Sequence, residues 1–331
     1  MKVSLNNLSL CLLAVLLGGC SSGTGAEGFV PTHDGYRLYY HKLGRGPDAV
    51  LIPIGVFTFD GLRALARPTR TLVFYDPRNR GRSQTVTDLA TISVENDVHD
   101  METLRAYFRF DSLSLIGYSV YGMEVVLYAL EHPTRVRRVV QLGPVPLKYG
   151  TRYSAELDNT TDRSVFDRAL AQRLQELHAE HKDSTEPREY CRMAQEFSKV
   201  GLVTSPAALA RLQPTVDRVC DYPNEWPINF RKQIAAHFGG SVVKLDIPWS
   251  RVANAVTMPV LTIHGRKDRN APYGAGREWA SQLPNGRLLT LDDAAHQSWV
   301  DEPEQVLGAI DMFLSGRWPE GAAVVRPGPQ R

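Results

Sequence analysis

Charge of either sign is nearly cancelled in this 331-residue chain, where 38 Lys and Arg stand against 36 Asp and Glu for a formal net charge of +2. That balance excludes a basic surface built for nucleic acid and an acidic tail, and points to a small-molecule partner. Internal repeats are missing, which sets aside solenoids and arrays. No apolar run is long enough to span a bilayer comfortably, and the run from Leu8 to Leu17 has the length of a signal-peptide core. Metal-ligand spacing is also lacking: His178 and His181 sit one helical turn apart, but no third-ligand motif joins them, so they read as a solvated helix end. Cysteine is scarce, with four in the chain. Cys11 lies inside the apolar run and Cys20 just beyond it, leaving Cys191 and Cys220, the number that can pair.

The start of the chain has a signal's layout. Met1-Lys2 precedes the apolar run, and Leu17-Gly18-Gly19-Cys20, which closes it, resembles the bacterial lipobox. The resemblance implies a signal peptide over residues 1–19, a diacylglycerol on Cys20, and a flexible tether over 20–28. It places the protein in the bacterial cell envelope, anchored to a membrane. A plain cleaved signal with an incidental cysteine would leave it free in the same compartment. Disulfides persist there, so a Cys191–Cys220 bridge is expected, with two free buried thiols as the alternative.

The chain is organised around Leu113-Ser114-Leu115-Ile116-Gly117-Tyr118-Ser119-Val120-Tyr121-Gly122: an apolar run, a serine at a tight turn, then helical spacing stopped by Pro133. A serine at a sharp strand-to-helix turn is exposed at the sheet's edge, with the first N–H groups of the helix aimed at what it binds. Strands expected at Tyr36–His41, Ala49–Ile52, Thr71–Tyr75 and Val136–Leu142 alternate with helical patterns such as Ser93–Phe108. The fold class is therefore α/β, with a mostly parallel central sheet flanked by helices. Residues 29–145 form the first part of this core and 251–316 the second. Between them, residues 146–250 lose strand patterns and read as a helical cap over the carboxyl ends of the strands, where open α/β sheets bind ligands. The Pro- and Gly-rich tail, 317–331, is expected to be disordered.

Two late loops carry what a serine nucleophile needs. Asp268 follows Ile263-His264-Gly265, and His296 closes Asp292-Asp293-Ala294-Ala295-His296 after the strand that ends at Leu291. An imidazole must take the serine proton, and a carboxylate must fix the imidazole's tautomer and stabilise its charge. The order Ser119, Asp268, His296 is that of α/β-hydrolases. Tyr75-Asp76-Pro77-Arg78-Asn79-Arg80-Gly81-Arg82-Ser83, the Asp268 loop, and Ala294-Ala295-His296 followed by Asp301-Glu302-Pro303 are similar to further landmarks of that family. From Val30 to Leu314 the chain resembles the α/β-hydrolase superfamily, most of all its capped proline-iminopeptidase-like branch.

The resemblance implies a serine hydrolase acting through an acyl-enzyme on a carboxylic ester or an amino-terminal peptide bond, with no metal, nucleotide or flavin cofactor. By position, the Val56 and Val120 amides are the oxyanion donors. Two departures stand out: Tyr121 replaces the elbow's second glycine, with Gly122 one place later, and the oxyanion loop reads Ile54-Gly55-Val56-Phe57. Tyr118 and Tyr121, beside the serine, are candidate substrate contacts. Glu225, in Asn224-Glu225-Trp226, is a candidate for holding a substrate's free amino group, the other reading being an interdomain packing turn. Asp292 and Asp293 share the histidine's loop and are weaker acids for it than Asp268. Arg78, Arg80 and Arg82 read as loop braces rather than an anion site, and His264 as a satisfied core histidine. A different reading keeps the fold as a catalytically silent envelope binding protein. Geometry decides between them, because Ser119 and His296 must come within hydrogen-bond reach.

Overall fold

The protein is described by a computed structural model over residues 25–326, so the expected signal segment and Cys20 lie outside the described residues. Eight strands form one sheet: β1 (Ala26–Pro31), β2 (Arg37–Leu43), β3 (Asp48–Pro53), β4 (Arg70–Tyr75), β5 (Leu113–Tyr118), β6 (Val136–Leu142), β7 (Val260–Gly265) and β8 (Gly286–Leu291). Their spatial order is β1-β2-β4-β3-β5-β6-β7-β8. Only β1 and β2 run antiparallel to their neighbours. β3 through β8 pair in parallel, and their continuous apolar runs are buried on both faces, as the composition of Ala49–Ile52 and Leu113–Ile116 requires.

β1 begins inside the expected tether. Ala26, Glu27 and Gly28 pair with Lys42, His41 and Tyr40, and the ladder is fixed farther along by Val30 against Leu38, both fully buried. The buried Val30–Leu38 pair and the backbone ladder outweigh the glycine-rich composition before them.

Helices α1 (Gly55–Leu62), α2 (Val94–Tyr107) and α3 (Val120–Glu131) follow β3, β4 and β5. Ser93 starts α2 by accepting the Asn96 amide at 3.2 Å. α3 is buried from Val120 to Leu130 and packs against β5 and β6, which explains a sequence almost free of polar residues. After β6 the chain leaves the sheet for α4 (Arg168–Ala179), α5 (Lys182–Thr185), α6 (Pro187–Ser198), α7 (Pro206–Val219) and α8 (Pro227–Ile234). Asp167 and Ser205 cap α4 and α7, and proline opens α6, α7 and α8, where a missing N–H costs nothing. Cys191 and Cys220 are bonded, with Cα atoms 5.7 Å apart, tying α6 to the end of α7. α9 (Trp249–Ala255), α10 (Tyr273–Gln282), α11 (Ser298–Asp301) and α12 (Pro303–Leu314) complete the core.

The segment after α12 departs from the expected disorder over its first residues. Trp318 lies against Phe313 with ring centroids 4.9 Å apart, and Ala323 bonds both ways to Leu288 at 2.9 Å, adding a bridge at the free edge of β8. An exposed sheet edge offers unpaired backbone groups, and this short segment satisfies one residue's worth of them.

Candidate active site

Ser119 sits between β5 and α3 with φ 59° and ψ −124°, a conformation that non-glycine residues rarely hold. The fold enforces it. The Ser119 amide donates to Leu142 O at 2.9 Å, and Gly122 N returns to Ser119 O at 2.9 Å. The turn is so tight that a Cβ on Gly117 would lie 2.2 Å from Tyr121 O, which leaves glycine as the residue that fits. Gly122 is the close-approach glycine of the helix, facing Pro144, so the shifted glycine keeps the packing while Tyr121 turns its ring elsewhere.

β7 and β8 deliver the partners. His296 Nε2 lies 3.0 Å from Ser119 Oγ, and its Nδ1 lies 2.7 Å from Asp268 Oδ2. Asp268 is fully buried, and its Oδ1 accepts the Asn270 and Ala271 amides at 2.8 and 2.9 Å. Burial pushes the Asp268 carboxyl up, but attraction to His296 and hydrogen bonds from His264 and His296 outweigh it, holding it well below the usual carboxylate range. Asp292 and Asp293 take no part; they are exposed and pair with Arg266 at 2.6 Å and Lys267 at 2.7 Å.

Two contributors to this geometry have little sequence signal. His264, expected as a satisfied core histidine, places Nε2 3.1 Å from Asp268 Oδ2, a second imidazole on the same carboxylate. Gly143 takes φ 51° at the end of β6, and a Cβ there would stand 3.1 Å from both Asp268 Oδ2 and His296 Nδ1. The only hint was a glycine ending a strand before Pro144.

Ser119 and His296 open into a cavity of about 920 Å³ between core and cap. Tyr118 and Tyr121 both line it, as expected of residues flanking the serine. The Tyr118 ring lies 4.7 Å from the His296 ring and 4.7 Å from that of Trp299, so it also walls the histidine from the side. The rest of the lining is rich in aromatic side chains, among them Phe57, Phe166, Phe197, Phe230 and Phe238.

Two expected contacts fall elsewhere. The Val56 amide donates to Asp76 Oδ1 at 2.7 Å and faces a separate cavity of about 130 Å³, because α1 begins at Gly55 and turns this N–H toward the buried carboxylate. It is not free as an oxyanion donor. Val120, first residue of α3, keeps the position expected of it, since the first N–H groups of a helix have no partner within it. Glu225 does not face the cavity. It accepts Arg80 Nε at 3.0 Å, Arg80 Nη2 at 2.9 Å and the Gly81 amide at 2.7 Å, fully engaged beneath the cap. The arginine loop is thus a brace throughout: Arg78 joins Asp34 and Asp100, and Arg82 joins Glu27. His178 pairs with Asp183 at 2.8 Å rather than with His181.

A parallel sheet delivering serine, carboxylate and histidine to one edge beneath a helical cap is the architecture of the α/β-hydrolases, and residues 55–303 match the family described as the alpha/beta hydrolase fold. The chain belongs to that family. It is 23% identical to a proline iminopeptidase of Heyndrickxia coagulans over 87% of this chain and 98% of that one. It is 22% identical to the bifunctional esterase/perhydrolase DCH of Acinetobacter calcoaceticus, over 87% and 99% of the two chains. Among solved structures, an esterase from Exiguobacterium antarcticum superposes with a TM-score of 0.66 at 15% identity, over 88% of this chain and 100% of that one, a likeness of fold. The chain is therefore an α/β hydrolase by family and by fold.

Proposed function

We propose that the protein is a serine hydrolase of carboxylic esters carrying aromatic or other bulky apolar groups. The observation that carries the reading is the continuous relay from Asp268 through His296 to Ser119, with steps of 2.7 and 3.0 Å, opening on a cavity of about 920 Å³. In this reading Ser119 Oγ attacks the ester carbonyl while His296 Nε2 takes its proton. Asp268 fixes the proton on Nδ1 and stabilises the imidazolium. The Val120 amide, backed by the N-terminus of α3, receives the developing oxyanion. His296 then protonates the departing alkoxide, and water resolves the acyl-enzyme by the same path.

Esters fit better than amino-terminal peptides because Glu225, the acid expected to receive an ammonium group, is consumed by Arg80. Asp158, the carboxylate that does line the cavity, has one oxygen engaged by the Thr160 amide and hydroxyl at 2.9 and 2.6 Å. Arg163 brings positive charge to the lining, whereas Arg269 is paired with Asp162 at 2.8 Å. The iminopeptidase relative keeps a peptide substrate in view as the competing outcome. A silent binding protein has no need of the strained Ser119 backbone aligned with an imidazole. We further propose that Cys20 carries lipid and holds the enzyme at a membrane of the cell envelope.

The test pairs a fluorophosphonate probe with p-nitrophenyl esters and proline p-nitroanilide, on the wild type and on Ser119→Ala. Labelling and ester turnover lost in the variant, with little anilide turnover, is the expected result. Preference for the anilide makes it an aminopeptidase, and a folded wild type that does not label is a binding protein.

A further inference from the structure

Three titratable side chains with no part in the Ser119 chemistry meet where the cap joins the core. Asp97 comes from α2, Glu124 from α3, and His237 from the turn that continues α8. They are 3%, 0% and 2% exposed. His237 Nε2 lies 2.7 Å from Glu124 Oε1 and 3.1 Å from Asp97 Oδ2, and one donor atom from each residue lies within 4.8 Å of the others.

His237 Nε2, both Glu124 oxygens and Asp97 Oδ2 are all buried without a well-aligned hydrogen bond, although the imidazole and the two carboxylates attract one another. Two more buried polar atoms share that condition. Gln233 Oε1 stands one turn earlier in the same helical segment, and the Tyr75 hydroxyl is close enough to Asp97 and Glu124 to feel both charges. Buried polar groups are almost always paired, so several orphans converging in one place mark something that belongs between them.

The donor set is that of a cation site. Around a first-row divalent ion with bonds of about 2.1 Å, ligands lie about 3.0 Å apart at right angles and about 3.4 Å apart in a tetrahedron. The two carboxylate oxygens at 2.7 and 3.1 Å from His237 Nε2 are near the first spacing, and a small outward movement brings them to the second. We propose that Asp97, Glu124 and His237 form a buried site for one first-row divalent cation, Zn²⁺ or Mn²⁺, which pins the cap to the two core helices. Mixed carboxylate and imidazole ligation suits these ions better than Ca²⁺, which prefers oxygen alone. The site is structural, because it lies behind the cavity wall rather than in it. Tyr121 stacks on His237 at 6.1 Å while lining the cavity, and Phe238, the next residue, lines it as well. The ion would therefore fix the seating of the cap without touching substrate.

The experiment uses the tag-free full chain, stripped with dipicolinate, dialysed, and incubated with Zn²⁺ or Mn²⁺ before gel filtration. Metal content by mass spectrometry and the unfolding temperature are read together. About one equivalent retained, with a Tm that rises on loading and falls on stripping, is expected. Glu124→Gln and His237→Gln should each reduce retention at least tenfold, whereas His178→Ala, which removes another histidine–carboxylate pair, leaves it unchanged. If either ligand variant fails to fold, the wild-type measurement decides. A folded wild type that retains neither ion, with no change in Tm, overturns the proposal and leaves the cluster held by shared protons. Fluorophosphonate labelling of Ser119 is independent of this result.

Discussion

Replacing Asp268 by Asn tests the relay most directly, because the change conserves volume and alters only which atoms can donate. Asp268 Oδ1 accepts two backbone amides, from Asn270 at 2.8 Å and Ala271 at 2.9 Å. An asparagine must keep its oxygen there, or two buried N–H groups lose their acceptor. Its NH₂ is then forced toward His296 Nδ1, which stood 2.7 Å from a carboxylate oxygen. That nitrogen becomes an acceptor, the ring proton moves to Nε2, and Nε2 can no longer take the proton of Ser119. Loss of the correct tautomer costs about 10⁴ in kcat in a serine relay, or roughly 5.4 kcal/mol at about 1.36 kcal/mol per tenfold. The same NH₂ faces His264 Nε2, 3.1 Å from the original oxygen. His264 can answer by moving its proton to Nδ1, which is buried and has no partner, so the fold should survive at a cost of about 1–3 kcal/mol. Ester hydrolysis and fluorophosphonate labelling rates, measured beside a urea melt, read both effects. A loss below tenfold in a folded variant would refute Asp268 as the orienting acid. Asp292→Asn, which changes an exposed partner of Arg266, serves as the control and should stay within about twofold.

The cap supplies two further tests. Replacing Cys191 and Cys220 together by serine opens a loop with a sequence separation of 29 residues, and the chain-entropy relation puts the loss at about 3–4 kcal/mol; a urea midpoint unchanged from the oxidised wild type would contradict it. Glu225→Gln leaves the buried Arg80 guanidinium unpaired and should cost about 3–5 kcal/mol while KM for esters moves little; a large rise in KM for amino-terminal substrates alone would restore Glu225 as an amine receptor. The third test is acid stability. Burial pushes the Asp76 carboxyl up to about 6 against the hydrogen bonds from the Arg82 and Val56 amides. The folded state then binds more protons than the unfolded one between about pH 4 and 6. The contribution of Asp76 is complete below about pH 4 and is lost as pH rises through about 6, an effect of roughly 2–3 kcal/mol. Asp76→Asn should flatten the fall of the urea midpoint across that window, and an unchanged slope would show that Asp76 is ionised throughout.

What the sequence made legible is what neighbouring residues determine. The turn at Ser119 follows from an apolar strand, a glycine and an apolar helix within one short stretch, and Asp268 and His296 each close a strand pattern. Parallel strands carry their carboxyl ends to one edge, so order along the chain already placed the three side chains together. Contacts decided by packing at a distance were not legible. The Val56 amide has no side chain to announce its direction, and only the start of α1 at Gly55 shows that it turns to Asp76. His237 lies far along the chain from Asp97 and Glu124, and no spacing rule links the three. The tail misled by composition, since Pro and Gly near the terminus said nothing of the stacking between Trp318 and Phe313.

Glu225 shows why such a misreading matters for function. A carboxylate beside an aromatic ring in a cap reads the same whether it faces a substrate or a guanidinium, and the sequence held both partners, with Arg80 in a loop of three arginines. The structure brings that loop under the cap, and the bidentate geometry at 3.0 and 2.9 Å uses both carboxylate oxygens, with the Gly81 amide taking a further lone pair. An ammonium group arriving in the cavity would have to break this buried pair to be recognised by Glu225, and the broken pair costs more than an exposed new one returns. In the proposed ester reading Glu225 is thus a side chain that holds the cap in place and never meets the substrate.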